Sequence, residues 1–475
     1  MMRSLYAGVA GLKTHQTRMD VIGNNIANVN TTSYKSQSMT FSDLMYQTTQ
    51  SASGANPTTG VGGINARQIG LGAKTSAIKT AIATQGASQT TNDPFDLMIS
   101  GDAFFVVNNG NENFFTRDGS FYVDGKGNLA MTSTGYNVMG WQVDPTNENI
   151  VKKDTVSALR IMTEANMTYP PEATTKSMVS GVIDKNDTDV NSDSGKIMNL
   201  EFYDKQGYKY TARMSVHSIS DAASDRGEFY VQLDDILDVN GESIGIDGVT
   251  FGTGATELTD SEGNPVTDAS GNAITNGAIL KFREELDAAT GADTGSFEYV
   301  GAANGKSLTI NFSDDMPNFK DIEIDFSTTC NYNVNGSSTI AAISGDDTGL
   351  GSGRKIGEMS GITIQKDGMI YASYDNGQSR LLGQIAVATF ANPSGLEKAG
   401  DNLYSATMNS GEFDGIGEDI TVGGGRMDSG VLEMSNVDLS AEFTEMITTQ
   451  RGFQANSRII TVSDTLLEEL TNLKR

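Results

Sequence analysis

One cysteine, Cys330, stands alone in 475 residues, so no disulfide can form within the chain. Its simplest role is a small buried or edge thiol. Histidine is almost absent as well. His15 and His217 are the two present, and neither has a nucleophile or ligand set beside it in sequence, which leaves packing as the expectation. Basic residues are scarce: 33 Lys and Arg face 60 Asp and Glu, for a net charge of -27. That balance argues against a nucleic-acid partner, because nothing neutralises phosphates, and it keeps undocked chains in solution. No run approaches the ~18 apolar residues of a membrane span, so no membrane insertion is expected. The start lacks a basic region followed by a continuous apolar core, so no cleaved secretory signal is visible.

Three near-motifs of chemistry also fail. Gly301-Ala302-Ala303-Asn304-Gly305-Lys306-Ser307 ends like a phosphate loop, but its first Gly is one residue too close and no helical pattern follows. Asp189, Asn191 and Asp193 open like a calcium loop, but Leu200 stands where a bidentate Glu belongs. Gly349, Gly351 and Gly353 read as linker. No catalytic, cofactor or metal site is expected.

What the chain does have is glycine, 53 residues of it, placed between short strand-like runs. Asp96 to Val107, Phe114 to Val123 and Gly361 to Ala372 read as strands punctuated by Asn109-Gly110, Asp118-Gly119 and Asp367-Gly368 turns. The two ends differ. Met2, Leu5, Val9, Leu12, Met19, Ile22 and Ile26 recur at helical spacing, as do Leu439, Phe443, Met446, Phe453, Ile460, Leu467 and Leu470. Such a recurrence predicts an apolar seam facing another helix, of this chain or of another copy. Gly8, Gly11 and Gly23 each weaken the first helix by about 1 kcal/mol, and Asn24, Asn25 and Asn28 prefer turns. The ends are therefore expected to fray alone and become helical when packed together.

The predicted fold is mainly β and multidomain, with an α-helical coiled-coil terminal domain. The domains are nested. Residues 1–30 and 436–475 form the helices, 31–64 a connector or extended arm, 65–152 with 354–435 an inner β domain, and 153–353 one or two outer barrel- or sandwich-like β domains, with a possible insertion at 235–300.

The ends also carry specific motifs. Ser4-Leu5-Tyr6-Ala7-Gly8-Val9-Ala10-Gly11-Leu12, the run from Met19 to Thr31 with Asp20, Gly23, Asn24, Asn25 and Asn28, and the C-terminal run with Asn436, Asp438, Gln450, Gln454 and Asn456 closely resemble the signatures of bacterial flagellar rod and hook proteins. Gly70-Leu71-Gly72 and Phe115-Thr116-Arg117-Asp118-Gly119-Ser120-Phe121 resemble the inner β domain of that family. One departure is Ser33, where the family commonly has Gly between Thr32 and Tyr34. The length of the middle favours the hook members over the shorter rod members. The resemblance implies a non-enzymatic subunit that self-assembles into a helical tube, a flexible joint passing motor torque to the filament. It implies no cofactor, a place in the flagellar basal body and hook outside the cell after flagellar type III export, and as partners other copies, the distal rod, the hook cap, hook–filament junction proteins and the export apparatus. A distal rod or junction protein, or a surface enzyme on a β scaffold, are the alternatives. Some family members crosslink neighbours through a Cys, for which Cys330 is a speculative candidate.

Overall fold

The computed structural model describes residues 2–54, 62–144, 146–219, 227–254, 256–260, 263–267, 272–284, 294–301 and 305–473. The chain is mostly strand, framed by two long helices, and it divides into two units: Met1–Asn166, Gly361–Ser373 and Ser379–Arg475 in the first, Met167–Ser360 and Tyr374–Gln378 in the second.

In the first unit the N-terminal helix runs Met2–Ala27 and the C-terminal helix Leu439–Asn472. Asp438 caps the latter: its carboxylate accepts from the Ser440 and Ala441 backbone N–H groups, and Glu442 complements the dipole in the first turn. Between the helices in sequence come the strands of a sheet drawn from both flanks of the chain. Strand Phe104–Asn108 pairs with Asn113–Thr116, with Asn137–Asp144 and with Val387–Ala388, while Asn113–Thr116 also pairs with Leu403–Ser405. Phe104, Phe115, Phe390 and Tyr404 meet edge to face beneath it. The segment that leads into the C-terminal helix is stitched down in two steps, Arg426–Ser429 against Leu97–Ser100 and Val431–Glu433 against Ser88–Thr90.

Residues 31–64 are not a plain connector. Gln37–Asp43 pairs with Ala73–Thr80, and Tyr46–Gln50 with Arg67–Gly70, so the arm is a two-stranded antiparallel ribbon that continues to Thr80. The returning strand had read as the start of the inner domain because a short polar strand does not reveal its partner. The tip of the expected connector, 55–61, lies outside the described residues, as do 302–304 of the phosphate-loop-like stretch.

The second unit packs two five-stranded sheets face to face. Their strand orders are 249–251, 307–312, 322–331, 176–183, 341–344 and 196–203, 209–218, 228–237, 277–282, 297–300. Val179, Ile324 and Phe326 from one sheet and Leu200, Met214, Val231 and Phe282 from the other share one core. Two expected boundaries shift. Strands Asn147–Val151 and Ser157–Ala158 pair with Asn137–Asp144, so the first unit runs past residue 153. The stretch 235–300 is no separable insertion, since Ala278, Leu280, Phe282 and Val300 belong to the common core; Leu258, Val266 and Ile274 form a side cluster against Tyr230 and Ile279.

Candidate assembly surface on the terminal helices

The helices run antiparallel. Asn25 bonds Glu442, Arg18 pairs with Glu445 at 3.0 Å, Gly452 lies under His15, and Gly11 and Gly8 lie against Asn456 and Ile460. Positions 8, 11, 15, 18, 22 and 25 step by threes and fours, as do 442, 445, 449, 452 and 456, which is seam spacing. Apart from Ile22, the occupants are small or polar. A Cβ on Gly11 would stand 2.7 Å from Asn456 Nδ2, and one on Gly452 would stand 2.6 Å from the His15 ring. Gly8 and Gly11, which weaken the helix by propensity, are what lets the backbones approach. Thr449 and Ser463 are the buried side chains of the C-terminal helix.

Apart from Ile22 and Ile460, the predicted apolar seam therefore lies beside the contact between the two helices. Of its members Ile22 is buried. Leu5, Leu12, Met19, Ile26, Met446, Phe453, Ile460 and Leu467 are half-buried, and Val9, Leu439, Phe443 and Leu470 are exposed. The reason is angular. Met446, Phe453, Ile460 and Leu467 sit four positions on from Glu442, Thr449, Asn456 and Ser463, about 40° further round the helix. Apart from Ile460, they flank the contact. Ile447, Ile459, Val462, Leu466 and Leu473 add to the apolar surface that this chain leaves open. Open apolar surface on that scale makes this face a candidate for docking.

Where the helices meet the β sheet, polar residues take over. Asn25 is fully buried and uses its whole amide: Nδ2 donates to Gln37 O and Glu442 Oε1, while Oδ1 accepts from Gln37 N and the Tyr34 hydroxyl. Asn24 donates to the Tyr34 hydroxyl, and Asn28 donates back to Asn24 O. Asn436 accepts from Ser36 N and donates to Ala81 O and Thr84 O. Lys35 Nζ meets Glu433 Oε1 at 2.6 Å with both side chains sealed from solvent, and it also donates to Thr84 O. Glu433 Oε1 takes a further bond from Gly86 N. Burial pushes the Lys35 ammonium down against the pull of Glu433. Burial likewise pushes the Glu442 carboxyl up, opposed by the Asn25 hydrogen bond. His15 is lowered by burial and by Arg18 beside it, and its ring meets Phe41 edge-on. Arg117 lies over the Phe104 ring, and the Tyr404 hydroxyl close by is pushed by burial up to about 12.

Ser33 has φ 54°, the left-handed region that explains the family's Gly; here the hydroxyl donates to Arg117 O at 2.7 Å. Of the motif residues, Asn24, Asn25, Asn28, Asn436 and Asp438 build this clasp or cap, and Asn456 lies in the helix contact. Asp20, Gly23, Gln450 and Gln454 face outward. Lys35 and Glu433 escaped the sequence reading, and Arg117 entered it only as part of the motif Phe115 to Phe121. The Lys35–Glu433 pair spans 398 residues, and nothing local announces it. In the second unit Cys330 is half-buried, on a strand paired with Lys176–Ile183. His217 there stacks on Tyr230 at 4.7 Å, with Nε2 2.8 Å from Ser215 Oγ, which in turn donates to Asp234.

Known families match the same stretches. Residues 5–35 match the family described as Flagella basal body rod protein, 98–179 the Flagellar hook protein FlgE/F/G D1 domain, and 428–473 the Flagellar basal body rod FlgEFG protein C-terminal. The chain is similar to Flagellar hook protein FlgE of Treponema pallidum, at 35% identity over 100% of both chains. It is 36% identical to that of Borreliella burgdorferi, again over 100% of both. Flagellar basal-body rod protein FlgG of Bacillus subtilis is 28% identical over 100% of both. With identity of this order over its whole length, and matches at both helices and at the sheet between them, the chain belongs to the flagellar hook protein FlgE family.

Proposed function

We propose that copies of this chain join through their terminal helices into the flagellar hook, a flexible tube that carries motor torque to the filament. The observation that carries this reading is the apolar surface on the helices. The N-terminal helix covers a small, polar line of the C-terminal helix and leaves Leu439, Phe443, Ile447 and Leu466 open. Burying each large side chain contributes roughly 1.5–3 kcal/mol, so several per copy suffice to hold a polymer. A head-to-tail contact that does not close on itself produces a helical filament. The second unit, with 33 of the 60 acidic residues but 13 of the 33 basic ones, serves as the solvent-facing part and keeps unassembled copies apart. The distal rod, the hook cap, the junction proteins and the export apparatus are the partners proposed.

The test is Leu439→Asp together with Phe443→Asp in a strain lacking the chromosomal copy. Loss of hooks, with the purified chain still folded, is expected. Hooks of normal number and length would reject the helices as the joining surface. The likeness to a basal-body rod protein at 28% favours a second reading as a distal rod component. Electron microscopy of the deletion strain separates the two: an intact rod without a hook supports the hook, and a missing rod supports the rod.

A further inference from the structure

The ribbon formed by residues 37–50 and 67–80 is built from two strands alone, and its outer half has no cover. Every residue of Tyr46–Gln50 and Arg67–Gly70 is exposed, on both faces. A lone two-stranded hairpin is marginal in water, and this one shows solvent Leu44, Met45, Tyr46, Ile69 and Ile78. Its base is anchored. Gly72, at φ 120°, lets the ribbon lie on the N-terminal helix, where a Cβ would stand 3.0 Å from Ala10 Cβ and 3.2 Å from Ala7 Cα. Beyond that anchor nothing in the described chain covers it.

The far end of the C-terminal helix has the same deficit. Gly8 packs against Ile459 and Ile460. Little of the N-terminal helix remains beyond Gly8, whereas the C-terminal helix continues to Asn472. Ile459, Val462, Leu466, Leu470 and Leu473 recur there at threes and fours and are all exposed, Leu473 by 82%. That stripe is about 21 Å long at 1.5 Å per residue, close to the ~17 Å of a five-residue strand. The charges are complementary too. The outer half of the ribbon carries Arg67 and no acidic residue, and the stretch from Ile459 to Leu473 carries Asp464, Glu468 and Glu469.

We propose that in the assembled polymer the outer half of the ribbon docks on the Ile459–Leu473 stripe of a second copy. This rests on the reading that copies join into a tube. Apolar side chains on one face meet the stripe, and Arg67 meets the carboxylates that border it.

Two variants, each also carrying Cys330→Ser, test the pairing. One has Ile69→Cys or Tyr46→Cys, the other Leu466→Cys or Leu470→Cys, and the two are co-expressed and oxidised. The expected result is a disulfide-linked heterodimer in isolated polymers for at least one of the four combinations and for none in unassembled chains. Polymers that form with no heterodimer in any combination, or that link ribbon to ribbon instead, overturn the docking while leaving the assembly reading intact. In parallel, Tyr46→Asp with Ile69→Asp is expected to cut polymer yield at least tenfold with the melting temperature of the unassembled chain unchanged. Normal yield overturns the proposal. If the unsubstituted chain forms no polymer, the assembly reading fails instead.

Discussion

The second unit and the terminal helices solve the same problem in opposite ways. The β sandwich hides its large apolar side chains within the chain: Phe229, Phe251, Phe282 and Phe326 are fully buried between its two sheets. The helices bring small and polar residues together and turn Phe443, Ile447 and Leu466 outward. One part is finished when the chain folds. In the assembly proposed above, the other is finished by further copies. Between them in character stands the clasp at the base of the helices, sealed and polar, where Lys35, Glu433, Asn25 and Asn436 fix how both chain ends leave the sheet.

The comparison is broken most forcefully at the clasp. Glu433→Ala leaves the Lys35 ammonium buried without its partner, and a loss of about 3–5 kcal/mol is expected in chemical unfolding of the first unit. Phe326→Ala opens a cavity in the sandwich and is expected to cost about 3–5 kcal/mol in the second unit's transition. A helix residue of the same type sharpens the contrast: Phe443→Ala is expected to change monomer stability by less than about 0.5 kcal/mol while lowering polymer yield. A large loss in the monomer would show that the helix surface is already in use. Gly72→Ala, which forces a side chain into a left-handed backbone against Ala7, is expected to cost about 1–3 kcal/mol and to loosen the ribbon, read as faster amide exchange at Leu44 and Leu71.

Acid acts with opposite sign on one carboxyl of each region. Asp346 is held down to about 2, first by the Thr348 hydroxyl and then by backbone N–H groups of its turn. A depressed carboxyl favours the fold above its unfolded value near 3.8, and that contribution is lost as pH falls toward 2. Glu442 is raised by burial, so its contribution is present below the unfolded value of 4.5 and is lost as pH rises through the folded one. Asp346→Asn is expected to flatten the acid side of the second unit's melting curve, and Glu442→Gln to remove a loss of helix-pair stability as pH rises above 4.5. Equal slopes in parent and variant would contradict either assignment.

Several features were legible because they are local. The turn at Asp367-Gly368, the strands around Phe104 and Phe115 and the helical period at both ends all follow from residues a few positions apart. The predicted seam shows the limit of that reading. Period told that Met446, Phe453 and Ile460 share a side of the helix, but not that the neighbouring line of Glu442, Thr449 and Asn456 would face the other helix. Propensity marked Gly8 and Gly11 as weak points, and packing made them the points of closest approach. The Asn24-Asn25 pair read as turn-forming, whereas Asn25 is the most fully bonded side chain of the clasp.

The sequence alone determined the alternation of strands and turns, the helical ends, the excess of negative charge and the family, because periodicity, composition and motifs are properties of neighbouring residues. Only the tertiary structure decided that Lys35 meets Glu433 across almost the whole chain, that residues 37–50 find their strand partners at 67–80, and that the apolar line of the C-terminal helix stays open. Those outcomes depend on which surfaces a closed fold brings within bonding distance, and no local spacing encodes that distance.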